Sequence, residues 1–305
     1  MIKRCWAIVM CLSVLAFSHE PLHGKEKLRI VASFSILGDM VRSVCGEHGD
    51  VVSLVGVDAD AHVYEPKPSD AKLILQADAI FMNGMGFEGW MKRLFDATKT
   101  SAPIFNATSG LKPLSSHRFE TVPDPHAWSS PLGGMHYIDT IMKALIQIDP
   151  DHAADFEKNA KAMMDELRTV HQWAKGEFAK LPQNKRKVIT SHDAFNYLAL
   201  HYDIQFHSAT GVDTKSEPSA KNIAQIVDII RAENIKAVFV ENITNPVLME
   251  QIAEETGIEI GGILYSDALS PMNGPAPTYL KLLKHNLMEL LKTMGQTMEQ
   301  PAQAL

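Results

Sequence analysis

The feature that most constrains this chain is one long helical run near its middle, residues 149–181. Apolar side chains fall at Phe156, Ala160, Met163, Leu167, Val170, Ala174, Phe178 and Leu181, in steps of four and three. That spacing keeps them on one face of a helix. Asp149 is placed to cap the first turn through its side-chain oxygen, and Pro150 suits the first helical position because the amide it lacks would be unpaired there. At 1.5 Å per residue the run extends roughly 45 Å, about the length of two small lobes side by side. It lacks the sustained heptads with paired flanking charges that a coiled-coil arm needs. The sequence therefore predicts a strut with one α/β lobe on each side.

On either side of the strut, short β-rich runs alternate with amphipathic stretches. Before it, strands are expected at Leu28–Phe34, 50–55, Ala79–Met82 and 103–107, with helices at 36–44, Pro68–Gln76, 88–97 and Pro131–Ile148. After it, strands are expected at Lys187–Thr190, 204–208, Ala237–Glu241 and 258–264, with helices at 194–202, 219–233, 246–256 and 277–294. This alternation indicates an α/β fold of two lobes, each a mostly parallel sheet flanked by helices, joined by one long rigid helix. The expected division is a signal peptide at 1–18, an N-terminal lobe at 25–148, the linking helix at 149–181 and a C-terminal lobe at 182–305.

The first eighteen residues set the compartment. Lys3 and Arg4 precede an apolar stretch from Cys5 to Phe17, and Ala16-Phe17-Ser18 has the small-x-small form of a secretory cleavage site. The stretch is too short to span a bilayer. Cleavage there removes two cations and no acid, carrying the formal charge from −7 to −9. An acidic exported protein is a poor partner for nucleic acid and a mild attractor of cations. Cys5 and Cys11 leave with the leader, so only Cys45 remains and no internal disulfide is possible. Neither early cysteine sits in the small-residue context of a lipoprotein cleavage site, so the expectation is a soluble periplasmic monomer.

In parallel sheets, ligands collect beyond the carboxyl ends of the strands. Four loops there carry unusual polar groups: residues 58–70 with His62, 124–128 with His126, 191–195 with His192, and 265–270 with Asp267. Two precede the strut and two follow it. Imidazole nitrogens and a carboxylate oxygen drawn from both lobes would make a compact cage for a divalent first-row metal.

These segments carry a resemblance. Asp-Ala-His62-Val-Tyr-Glu-Pro-Lys-Pro-Ser-Asp, Asp-Pro-His126-Ala-Trp, Thr-Ser-His192-Asp-Ala-Phe-Asn-Tyr and Leu-Tyr-Ser-Asp267-Ala-Leu-Ser are similar to signature segments of the zinc/manganese substrate-binding proteins of bacterial ABC importers. The likeness extends to the segments around Asn83–Trp90, Glu217-Pro-Ser-Ala220 and Phe239-Val-Glu-Asn242. It implies a buried metal between two lobes, held by His62, His126, His192 and Asp267, and delivery of that metal to a membrane permease. Manganese members of the family often have glutamate where this chain has His192, so the resemblance favours Zn²⁺ over Mn²⁺. Many zinc members carry a long His-rich loop before the second ligand, whereas here the segment 115–125 is short and offers only His117. His117 is a candidate accessory collector of metal.

Two further motifs compete for attention. Gly84-Met-Gly86-Phe-Glu-Gly89 matches a dinucleotide fingerprint, but it follows the third strand rather than the first, so a tight turn is the better reading. Ser191-His192-Asp193 contains the members of a hydrolase triad in consecutive positions, where neighbours on an extended segment point to opposite faces. Asp193 is better placed to cap the next helix or orient a ligand. Tyr64, Glu65 and Trp128 flank the candidate ligands and could steady them. His136, His152, His171, His201 and His285 are expected on helices, and His48 and His207 have no assigned place. The rival functions are a mononuclear metal-dependent hydrolase and a surface adhesin with a structural metal. Four protein ligands leave no open position for an activated water, which argues for carriage rather than catalysis. Release is expected to need a small lobe rotation and rearrangement of the loop around His126 or His192.

Overall fold

The computed structural model describes residues 27–115, 122–215 and 218–295. The expected signal peptide, His117 and Glu217 lie outside the described residues. β1 (Leu28–Phe34), β2 (Gly49–Val55), β3 (Ala79–Met82) and β4 (Ile104–Asn106) form an all-parallel sheet in the order β2-β1-β3-β4. β5 (Lys187–Thr190), β6 (Gln205–Ser208), β7 (Ala237–Glu241) and β8 (Glu259–Leu264) form a second, in the order β6-β5-β7-β8. Each sheet is wound the same way: the chain steps outward once, returns past its first strand and continues on the far side. The reversal opens a crevice at the carboxyl end of each sheet.

Helices cover both sheets. α1 (Ser35–Cys45), α2 (Pro68–Gln76), α3 (Met91–Thr98) and α4 (Pro131–Ile148) belong to the first half; α6 (Asn196–Tyr202), α7 (Ala220–Glu233), α8 (Val247–Thr256) and α9 (Tyr279–Thr293) belong to the second. Ile30, Val31, Ala32 and Phe34 on β1 are all buried, as a strand covered on both faces requires. Ser130 caps α4 by accepting the Gly133 N–H at 3.1 Å, with Pro131 at the first helical position.

The connecting helix, α5 (Ala153–Ala179), has 27 residues and so runs about 40 Å. Its apolar stripe is shared out along its length. Phe156, Ala160 and Leu167 lie in the core of the first sheet, whereas Val170, Ala174 and Phe178 lie in a core of the second. The start of the helix differs from expectation. Pro150–His152 form a 3-10 turn, and Asp149 makes no side-chain cap. Its Oδ2 instead meets His152 Nδ1 at 2.7 Å, because an imidazole within reach is a stronger partner for a buried carboxylate than one backbone amide. The His152 ring stacks on that of His48 at 3.9 Å, and His48 Nε2 meets Asp155 Oδ2 at 2.9 Å. This gives His48 the place that the sequence did not supply.

A second helix also crosses the seam. Tyr279, Leu282 and Leu283 at the start of α9 are buried in the first core, and Leu287, Leu290 and Leu291 in the second. The Tyr279 N–H donates to Asp39 Oδ2 at 2.8 Å across the lobes. Periodicity predicts the apolar face of α9 but not which lobe its first turns meet. Among the described residues no helix is long and apolar enough to cross a membrane.

Candidate metal centre

The four candidate residues come together at the carboxyl ends of the strands. His62 lies in the loop after β2, His126 in the connection after β4, His192 two residues beyond β5 and Asp267 three residues beyond β8. All four are buried, and one donor atom from each lies within 4.8 Å of every other. Asp267 Oδ2 is 3.2 Å from His62 Nε2 and 3.3 Å from His192 Nε2; Asp267 Oδ1 is 3.7 Å from His126 Nε2. His62 Nε2 and His126 Nε2 face each other at 3.2 Å. A tetrahedron with bonds of about 2.05 Å has edges of about 3.3 Å, so these separations are those of donors around one small cation.

The polar bookkeeping of the site supports the same geometry. Both carboxylate oxygens of Asp267 are buried and close to imidazoles, yet none of these approaches has the alignment of a hydrogen bond. A buried carboxylate needs a partner of opposite charge. Burial alone raises the pKa of Asp267, but the rings of His192, His126 and His62 outweigh it and hold the carboxyl well below the usual range. Burial lowers the pKa of His62, which favours the neutral ring that a metal takes. Burial acts the same way on His192, but Glu241 and Asp267 outweigh it and hold that ring well above its ordinary value.

Two carboxylates that the sequence reading left without a role steady the rings. Asp124 Oδ1 accepts the His126 backbone N–H at 2.9 Å and meets its ring Nδ1 at 2.7 Å. Glu241, the last residue of β7, accepts the His192 backbone N–H through Oε1 at 2.8 Å. Its Oε2 approaches His192 Nδ1 at 2.5 Å, a contact of charge without regular hydrogen-bond alignment. In both cases one acid fixes a main-chain amide and the Nδ1 edge of the same residue, turning Nε2 toward Asp267. An acid closing an otherwise apolar strand, Ala-Val-Phe-Val-Glu241, was the available signal for the second.

The flanking residues divide. Trp128 is fully buried; its ring lies 5.2 Å from that of His126, and its Nε1 donates to Ser266 O at 2.8 Å, beside Asp267. Tyr64 instead donates to Asp70 Oδ2 at 2.8 Å at the start of α2, and Glu65 is exposed. Asp193 accepts from Asn196 Nδ2 at 3.0 Å at the start of α6. In the Gly84-to-Gly89 segment, Gly84, Met85 and Gly86 all have positive φ, which the two glycines accommodate without strain. The turn buries Glu88, whose carboxylate accepts from Ser33 Oγ and from the N–H groups of Asn83 and Gly84, and it sets Phe87 edge-on to His62 with ring centroids 4.6 Å apart. It is a structural turn. A cavity of about 910 Å³ beside β6 includes none of the four residues.

Two parallel sheets of one winding, bridged by a long helix and closing on a shared polar cluster, define a two-lobed solute-binding protein. The chain matches the family described as "ZnuA: Zinc-uptake complex component A periplasmic" over residues 30–293, and it belongs to that family. It is 31% identical to the iron-binding protein YfeA of Yersinia pestis, over 91% of this chain and 90% of that one. It is 30% identical to the manganese-binding lipoprotein MntA of Halalkalibacterium halodurans, over 89% and 90%. Among solved structures, a Mn-bound periplasmic metal binding protein from Candidatus Liberibacter asiaticus superposes with a TM-score of 0.80 at 32% identity, covering 87% of this chain and 98% of that one. The periplasmic zinc binding protein TroA from Treponema pallidum shares the fold, with a TM-score of 0.83 at 23% identity over 88% and 99%.

Proposed function

We propose that this protein is the extracytoplasmic binding component of a metal ABC importer, taking up one divalent first-row cation with His62, His126, His192 and Asp267 and handing it to a membrane permease. The observation that carries this reading is the set of donor separations around Asp267, which suits one cation shared by both lobes. Four protein donors leave no position for an activated water, so the site suits carriage rather than hydrolysis. Three imidazoles and a carboxylate rank Zn²⁺ above Mn²⁺ and Fe²⁺ in intrinsic affinity, so zinc is the favoured cargo. Relatives named for iron and manganese keep manganese as the alternative, with metal availability deciding between them. The protein works free in the periplasm, because Met10 precedes Cys11 where a lipid-attachment site calls for a small residue.

The test is anomalous scattering at the zinc and manganese edges from crystals of protein purified without added metal, followed by competition titration of the two ions. A single ion on the four named residues, with zinc displacing manganese, is expected. An ion elsewhere, or a site coordinated by fewer than four of them with bound water, would overturn the reading. A lipid-labelled protein that loses its label on Cys11→Ala would replace the free periplasmic form with an anchored one.

A further inference from the structure

The lobes are joined by hydrogen bonds of two kinds. On the His126 flank they are buried. Asn196 Nδ2 donates to Asp124 Oδ2 at 3.0 Å and Tyr197 Oη to Asp124 O at 3.1 Å. Trp128 Nε1 reaches Ser266 O, and Tyr279 Oη donates to Trp128 O at 2.7 Å. His126 thus sits between two braced neighbours. His192 is held inside its own lobe by Glu241.

On the His62 flank the joining side-chain bonds lie nearer the surface, beside one buried bond from the Leu269 N–H to Ser35 Oγ at 3.0 Å. Asn242 Nδ2 donates to Asp58 Oδ1 at 2.9 Å, Thr214 Oγ1 donates to Asp60 Oδ2 at 2.5 Å, and the Asp58 N–H donates to Leu269 O at 3.0 Å. Asp58 and the neighbouring Val57 and Val63 are exposed. Asp60 does two things at once: its other oxygen, Oδ1, accepts the His62 backbone N–H at 2.8 Å. Behind it lies a cavity of about 380 Å³ lined on one side by Asp60 and the hydroxyl-bearing residues Ser191, Thr210, Thr214 and Thr244 and on the other by apolar residues such as Ile223 and Val247, and Ser191 adjoins His192.

Given the metal-carrier reading above, on which this rests, we propose that the cation enters and leaves on the His62 flank through this cavity, with Asp60 and Thr214 as its gate. Oxygen donors along the way can replace the water shell of a divalent cation stepwise, and the Asp60 carboxylate at the mouth supplies attraction. Parting Thr214 from Asp60, together with the Asp58 bonds to Asn242 and Leu269, frees the loop that carries His62, while the buried bonds keep His126, His192 and Asp267 in place. His62 is then the first ligand to leave, instead of the movement around His126 or His192 that the sequence suggested. Asp60 is a positioning residue, acting through His62.

The experiment follows chelator-driven release of Zn²⁺ from the loaded mature protein by stopped flow. A hydrogen bond to a charged group is worth about tenfold in rate when it must break first. Thr214→Val is therefore expected to release zinc about ten times faster, Thr214→Ser to restore the parent rate, and Tyr279→Phe, on the buried flank, to accelerate release less than Thr214→Val does. A short thiol cross-linker joining Asp58→Cys to Asn242→Cys is expected to slow release at least about tenfold; Cys45 is buried and does not compete. Equal rates for Thr214→Val and the parent, an equal acceleration by Tyr279→Phe, or unhindered release from the cross-linked form would overturn the gate alone. A parent protein that binds no zinc or manganese would overturn the carrier reading and the gate together.

Discussion

His126 and His192 present the same edge to the same carboxylate, yet the first is held by an acid two residues away and the second by an acid from the neighbouring strand. Asp124 and His126 form a closed local unit, so the short segment Asp124-Pro-His126 carries most of its own geometry. His192 depends on β5 and β7 lying side by side, with Ile189 paired to Val238, before Glu241 can reach it. The N-terminal imidazole is thus set by local chain geometry and the C-terminal one by the sheet. The two lobes solve one chemical problem by different routes, and their responses to mutation should separate accordingly.

The comparison is tested hardest at the acid both rings face. Asp267→Asn removes the only charged donor of the four. Even with water's dielectric, a unit charge about 2 Å from a divalent ion is worth about 4 kcal/mol, so zinc affinity should fall roughly a thousandfold by competition titration. Next come the two outer acids. Asp124→Asn and Glu241→Gln should each weaken zinc by about 10- to 100-fold, the usual range for a partner that orients a ligand. Loss of much less than tenfold at Asp124 with the full loss at Glu241 would mean that the local unit keeps its shape without its charge. The double variant sharpens this, since the product of the two losses is expected only if the lobes set their ligands independently. Smallest is His285→Ala, which removes a 2.9 Å hydrogen bond to Ile263 O and a ring contact with Tyr265 but touches none of the candidate ligands. Urea unfolding should show a loss of about 1 kcal/mol with zinc affinity unchanged within about twofold.

Much of this molecule could be read before it was seen, and the reasons differ by level. Strands such as Ala79–Met82 and Lys187–Thr190 are short apolar runs bounded by polar loops, so their limits are written locally. The four candidate ligands sit at strand ends, where a parallel sheet exposes side chains to a shared crevice. What stayed hidden was pairwise and distant. Glu241 could be seen to end a strand but not to face His192, because strand order is not contained in any one stretch. Asp149 looked like a cap because the sequence cannot show that His152 offers it a better partner. The early turns of α9 looked like part of the second lobe for the same reason: amphipathicity names a buried face without saying what buries it.

The sharing of α5 and α9 between the cores has a consequence for how such a chain can be handled and how it can evolve. Wherever the gene is cut between the two sheets, one fragment is left displaying a greasy strip that only the other can cover. Neither half is a module that could be expressed alone, swapped into another protein or duplicated by itself. The receptor therefore has to be inherited, exported and folded as one indivisible piece.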